Sequence, residues 1–289
     1  MLKILKCELK RAFSSKLFWV ALLIGIAIAA VSAGQNLSSY FEGLEMEANR
    51  AEYMGDNPYN PMNPMTTVYN YWIGGDYEGP MTPLFYLLMP LLVCLPFSWS
   101  YLTDRKSGYI NQSMVHIRKK SDYFFAKYIA IFLSGGVIVA VPLILNILAI
   151  ACFIPAYHPD IFYEMYYFMS FHDMRWLFYT NPVVYEIYVI LQAFIFAGLF
   201  AVTGYVFSFF IRNRFAVILL PFLCIFGAQY LQDVALYSSL NNLCISPLDF
   251  LRAYAPLHVD MMVVALWAVA LLVLTLGATW LRGKKADIL

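Results

Sequence analysis

Asp104-Arg105-Lys106-Ser107-Gly108-Tyr109-Ile110-Asn111-Gln112-Ser113-Met114-Val115-His116-Ile117-Arg118-Lys119-Lys120-Ser121-Asp122 forms a charged island between two long apolar runs. Residues 83 to 102 precede it and residues 123 to 153 follow it, each long enough to cross a hydrocarbon core of ~30 Å as a helix rising about 1.5 Å per residue. The island therefore emerges at one face of a bilayer. Its five basic residues, Arg105, Lys106, Arg118, Lys119 and Lys120, outnumber its two acids and assign that face to the cytoplasm. Gly108, Tyr109, Ile110, Met114, Val115 and Ile117 make it semi-apolar, the composition of a segment that docks a soluble partner rather than of a plain tether.

The whole chain agrees with that frame. Of its 289 residues, 62% are hydrophobic and 13% charged, against roughly 45–50% apolar and about 25% charged in soluble domains. The expected fold is an all-α polytopic membrane protein. The five cysteines are scattered with no Cys-x-x-Cys pair, so neither a disulfide framework nor a zinc site is expected.

Towards the N-terminus, residues 1 to 16 place Leu2, Leu5, Leu9, Ala12 and Phe13 at helical spacing, with Lys3, Lys10, Arg11 and Ser14 turned away. This pattern predicts an amphipathic helix lying on the inner leaflet. A first span follows at about 17–33. Val31-Ser32-Ala33-Gly34 resembles a signal-peptidase site, but the n-region is patterned for an interface, which argues against cleavage. Residues 34 to 82 are expected to be an extracytoplasmic loop, acidic at Glu42, Glu45, Glu47 and Glu52 and then rich in Asn and Pro. The second span, 83–102, carries Pro90 and Pro96. The third, 123–153, starts after Ser121 and contains Gly135, Gly136, Pro142 and Asn146.

Beyond Ile154, residues 155 to 182 are crowded with Phe and Tyr and predict an outer interfacial segment. Spans at about 183–211 and 215–231 flank Arg212-Asn213-Arg214 as a hairpin with a basic tip. Leu243 to Leu248 is too short to cross and predicts a re-entrant dip before the last span, 259–281. Six spans bring both termini to one side. Sixteen of the 19 basic residues then lie on that side, leaving only Arg50, Arg175 and Arg252 outside, so both termini are expected in the cytoplasm of a cell with a plasma membrane of bacterial type.

This layout resembles the permease subunit of a type-2 ABC transporter. The likeness covers the whole chain and rests on the amphipathic helix entering span one, six spans, the loop Asp104…Gly108…Arg118-Lys119-Lys120…Ala126-Lys127, the Arg212-Asn213-Arg214 tip and the dip before span six. The 34–82 loop is longer than the minimal pattern of the family. The resemblance implies that residues 103–122 hold a coupling helix seated on a separate ATPase subunit, with Arg105, Gly108, Tyr109, Ile110, Met114, Val115 and Arg118 in the contact. It also implies two ATPase copies, which bind ATP and Mg, and a second permease subunit, identical or different. No cofactor of this chain's own, no nucleic-acid partner and no catalytic residue are expected.

No Gly-x-x-x-x-Gly-Lys-Ser/Thr occurs; Gly283-Lys284-Lys285 lacks the first glycine and the hydroxyl, so energy is expected from a partner. His158 with Asp160, and His172 with Asp173, lack the paired spacing of a metal site, and no metal is expected. No ionisable residue falls at the middle of any expected span; Lys127, Glu186 and Asp233 lie near span ends, where side chains snorkel or meet water. That pattern argues against a proton-relay transporter and against the alternative class, a membrane-embedded enzyme. Asn146, Gln192, Thr203 and Gln229 are the candidate path residues, with helix-to-helix hydrogen bonding as their other reading. The expected cargo is amphipathic or hydrophobic, a peptide, lipid or drug; an immunity or sensing complex with little net transport is the alternative function.

Overall fold

The computed structural model describes residues 1–54, 67–76, 79–110, 121–159, 172–235, 243–252 and 257–288. Among them the chain is helical, with no strand and only two isolated bridges, His172 to Val259 and Leu243 to His258. Five helices are long and apolar enough to cross a membrane, so this is a multi-pass all-α membrane protein.

The short helix α1 (Leu2–Phe13) runs into α2 (Lys16–Met54) across a two-residue break at Ser14 and Ser15. The expectation that the chain leaves the helix after Ala33 needs correction. Helix α2 continues to Met54, and over its 39 residues it is about 58 Å long at ~1.5 Å per residue. The reason is local: residues 34–54 contain no proline, and the first one, Pro58, comes after the helix. The acids of the expected outer loop thus begin on a helical extension, where Ser38 Oγ donates to Glu42 Oε1 at 2.9 Å.

The expected second span is broken. Helix α3 (Val68–Tyr71) precedes α4 (Met81–Cys94), which absorbs Pro90 but stops before Pro96; α5 (Ser100–Lys106) resumes after a turn. Pro96 has no N–H to give Leu92 and its ring crowds that turn. The Trp99 indole N–H repairs part of the gap by donating to Leu95 O at 2.9 Å. Broken as it is, the segment follows the helix α8 (Pro182–Phe207). Cys94 Sγ donates to Phe200 O at 3.4 Å, Ser98 Oγ to Ala201 O at 2.8 Å, and the Tyr101 ring lies 5.1 Å from Phe209, just past the end of α8.

Helix α6 (Ser121–Ala151) and α8 form the centre, with 61% and 56% of their most apolar windows buried. In α9 (Arg214–Tyr230, extended by a π turn over Leu231–Ala235) and α11 (Met261–Ile288) the figures fall to 22% and 11%, so these two present most of their surface to the surroundings. Small residues set the α6–α8 distance. A Cβ at Gly135 would sit 2.6 Å from Ala201 Cβ, and one at Gly198 2.6 Å from the Phe132 ring.

One end of this bundle gathers the basic residues. There Arg11 meets Asp104, Arg214 stacks on Trp99, Arg282 donates to Tyr101 Oη at 3.0 Å, and the terminal amine reaches Asp122 at 3.3 Å. The opposite end is closed by short segments. Helix α7 (Arg175–Thr180) is the described part of the expected aromatic interfacial segment; residues 160–171 lie outside the described residues. Before the last span, Cys244 N donates to His258 O at 2.7 Å and the four-residue α10 (Pro247–Phe250) is capped by Ser246 Oγ.

Candidate functional site at the basic end

Four charges meet where α1, α5 and α6 converge. Lys127 is 0% exposed, and Glu8 and Asp104 are each 1% exposed. Lys127 Nζ pairs with Glu8 Oε2 at 3.1 Å and donates to Asp104 Oδ2. Arg11 donates to Asp104 Oδ1 at 2.6 Å and to Glu8 Oε1 at 2.9 Å, while the Tyr123 hydroxyl donates to Asp104 Oδ2 at 2.6 Å. Two cations and two anions balance, so the set is buried without net charge. Burial opposes the ionised form of Asp104, and the Arg11 hydrogen bonds, the Lys127 charge and the Tyr123 hydroxyl offset that cost. Rings complete the enclosure: Phe97 lies 4.9 Å from Lys127 Nζ, and Tyr109 lies 4.6 Å from the Arg11 guanidinium.

This network corrects two expectations. Lys127 does not snorkel to water, and Arg11 does not turn away from the bundle. Glu8 is the residue the sequence reading passed over. Its signal was present, because Glu8 stands three residues from Leu5 and four from Ala12, inside the apolar stripe of α1 rather than opposite it. The stripe also slips at its start: Leu2 is 82% exposed.

The expected docking residues follow directly. Arg105 is exposed at the last turn of α5. Gly108 adopts φ +72, the left-handed conformation that ends a helix and that side-chain-bearing residues resist. Tyr109 and Ile110 pack partly against the core. Met114, Val115 and Arg118 lie outside the described residues.

The candidate path residues are not brought together. Asn146 spends both ends of its amide on backbone, accepting from Ile73 N at 2.8 Å and donating to Ala29 O at 2.7 Å, so it ties α2 and the 67–76 segment to α6. Thr203 bonds back to Leu199 O within α8. Gln229 donates to Asp249 Oδ2 at 2.7 Å and to Asp233 Oδ2 at 3.0 Å; Gln232 donates to the same Asp249 oxygen and accepts from the N–H groups of Ile245 and Ser246. Gln192 is buried on α8, and its Nε2 has no hydrogen-bond partner.

Glu186 also departs from expectation. It is 4% exposed rather than in water, and the indole N–H of the buried Trp72 is the donor that faces its carboxylate; the buried Tyr86 hydroxyl beyond has no hydrogen-bond partner among the described residues. Among the described residues no three His, Cys, Asp or Glu side chains gather in metal-binding geometry. Against protein-family models, curated proteins and solved structures, the chain has no match.

Proposed function

We propose that this chain is the membrane-spanning permease subunit of an ABC exporter, which moves an amphipathic or hydrophobic molecule outward with ATP hydrolysed by a separate subunit. The observation that carries the reading is the Glu8, Arg11, Asp104 and Lys127 network. It makes one stiff body of the amphipathic helix, the segment that leads into residues 103–122, and the base of the central helix α6. A permease driven from outside needs such a body, since displacement of a docking segment reaches the spans only through contiguous packed contacts. The run of α4 and α5 beside α8 supports a sixth crossing made by a broken helix, with both termini at the basic end and that end in the cytoplasm. Residues 34–54 and the 67–76 segment then form the outer side, and Gln192 is the path candidate with a buried donor still unused.

The large exposed side chains of α9 and α11, among them Phe226, Leu223, Met262 and Leu266, suit sideways entry of apolar cargo from the leaflet. Small ions suit it poorly, because they require compensating charge or rings of carbonyls at the midplane. The reading is tested by purifying the tagged chain from its native membrane. A co-purifying chain with a P-loop and ATP hydrolysis supports it; a preparation with neither, from membranes in which the chain is intact, contradicts it.

A further inference from the structure

The side of α1 that the bundle does not use is basic. Glu8 and Ala12 are the buried residues of α1, and Glu8 meets Lys127 while the terminal amine meets Asp122, so α1 runs beside the first turns of α6. Successive helical residues turn by about 100°, which places Lys3, Lys6 and Lys10 within an arc of about 60° on the side opposite Glu8 and Ala12. All three are exposed, as is Lys16 at the first position of α2. Among the described residues none of these four lysines makes an ion pair. The acids that reach α1, which are Glu8, Asp104 and Asp122, are already engaged by Arg11, Lys127 and the terminal amine.

Position decides what this side meets. The apolar run of α2 begins at Leu17, next to Lys16, and Trp19 is 55% exposed, with Val20, Leu23 and Ile24 exposed after it. In a bilayer those side chains face lipid, and an exposed Trp beside Lys16 marks the headgroup layer. Helix α1 ends just before Lys16, across the break at Ser14 and Ser15, so its free side stands at the height of the lipid phosphates. The apolar side of α1 is taken by α6, and what it offers outward is charge rather than a face for insertion among acyl chains. Four unpaired lysines on one short stretch are enough to attract anionic headgroups, and the flexible ammonium suits phosphates that hold no fixed geometry. We propose that Lys3, Lys6 and Lys10, with Lys16, form a docking surface for anionic phospholipids of the leaflet at the basic end. The surface gathers such lipids beside the Glu8 and Lys127 pair and encloses none of them in a pocket. It rests on the geometry of α1 and not on transport, so it stands or falls independently of the exporter reading.

The test uses the full chain in nanodiscs of mixed phosphatidylcholine and phosphatidylglycerol, with a fluorophore on Cys7, which is exposed on α1. Cys152→Ser and Cys224→Ser remove the other exposed thiols, while Cys94 and Cys244 are buried and stay. A trace of quencher-labelled phosphatidylglycerol is compared with the same trace of quencher-labelled phosphatidylcholine. The anionic quencher is expected to act more strongly at Cys7, and high salt is expected to remove the excess. The K3Q/K6Q/K10Q variant changes only exposed, unpaired side chains and is expected to keep the wild-type unfolding midpoint in phosphatidylcholine. Its local enrichment of phosphatidylglycerol is expected to fall roughly fivefold or more. A fluorophore on Cys152 alone, at the opposite end, is expected to show no excess. Equal quenching by the two lipids at Cys7, an excess that survives K3Q/K6Q/K10Q, or an equal excess at Cys152 each overturns the proposal; the first would leave the lysines to a soluble acidic partner or to water.

Discussion

Lys127 Nζ lies 3.1 Å from Glu8 Oε2 and bonds Asp104 on its other side, although the three residues are buried and come from three different helices. Removing one member leaves an unpaired buried charge, which costs more than the intact set is worth. Lys127→Met is therefore expected to destabilise the detergent-solubilised protein by about 3–5 kcal/mol. Adding Asp104→Asn to it is expected to recover part of that loss, because the set, left with an excess negative charge when Lys127 goes, returns to the neutral pair of Glu8 and Arg11. A double-mutant cycle read by thermal unfolding checks this, and purely additive costs would show that the two side chains are not coupled.

The α6–α8 contact makes a second expectation. Gly198→Leu would drive its side chain into the Phe132 ring, which stands 2.6 Å from the position of a Cβ, whereas nothing lies within 4 Å of one at Gly277. Overpacking of this kind costs about 1–3 kcal/mol, so Gly198→Leu should lower the unfolding midpoint while Gly277→Leu leaves it near wild type. Equal tolerance at both sites would mean that α6 and α8 do not approach as described.

Acid is expected to loosen the end opposite the basic one through His172. Burial pushes its imidazole down to about 4, with nearby Asp173 opposing and His258 adding to the shift, and its Nδ1 accepts from Met174 N at 3.0 Å. The folded state therefore binds the proton less readily than the unfolded chain, whose His titrates near ~6.5, and stability falls as pH drops from there towards about 4. At about 1.36 kcal/mol per pH unit the loss reaches roughly 3 kcal/mol at most. His172→Asn keeps an acceptor for Met174 and removes the titration. Its midpoint should change less over this pH window, and a slope as steep as wild type would place the effect elsewhere.

Native cysteines report the orientation. Cys7 on α1 and Cys152 beyond α6 are both exposed and stand at opposite ends of the bundle. In single-cysteine variants on intact cells, an impermeant thiol reagent is expected to modify Cys152 and spare Cys7. Equal modification of both would contradict a cytoplasmic basic end.

Periodicity made the long helices legible. The expected spans 123–153, 183–211 and 215–231 overlap α6, α8 and α9, while α11 runs on to Ile288 past the expected end at 281 and the second span, expected to continue through Pro90 and Pro96, stops before Pro96. What composition could not show was where a polar side chain ends up. Glu8 and Arg11 share one helix but lie far in sequence from Asp104 and Lys127, and each alone resembles an ordinary interfacial charge; only the meeting of three helices brings them into one set. Asn146 was singled out as a polar residue in a span, but its role depends on Ile73 and Ala29, which no local pattern links to it. Helix α2 ran past its expected end because the acidic residues that suggested a loop are good helix formers in the absence of proline.

The central claim, that residues 103–122 couple this chain to an ATPase, is tested most directly by ATP hydrolysis in proteoliposomes holding the chain with its co-purified ATPase. Amphipathic compounds are expected to stimulate hydrolysis by the wild-type complex. A variant with Met114→Ser and Val115→Ser is expected to keep basal hydrolysis and lose that stimulation. Full stimulation in the variant with its complex intact, or a wild-type response to sodium and to no amphipathic compound, would contradict the account.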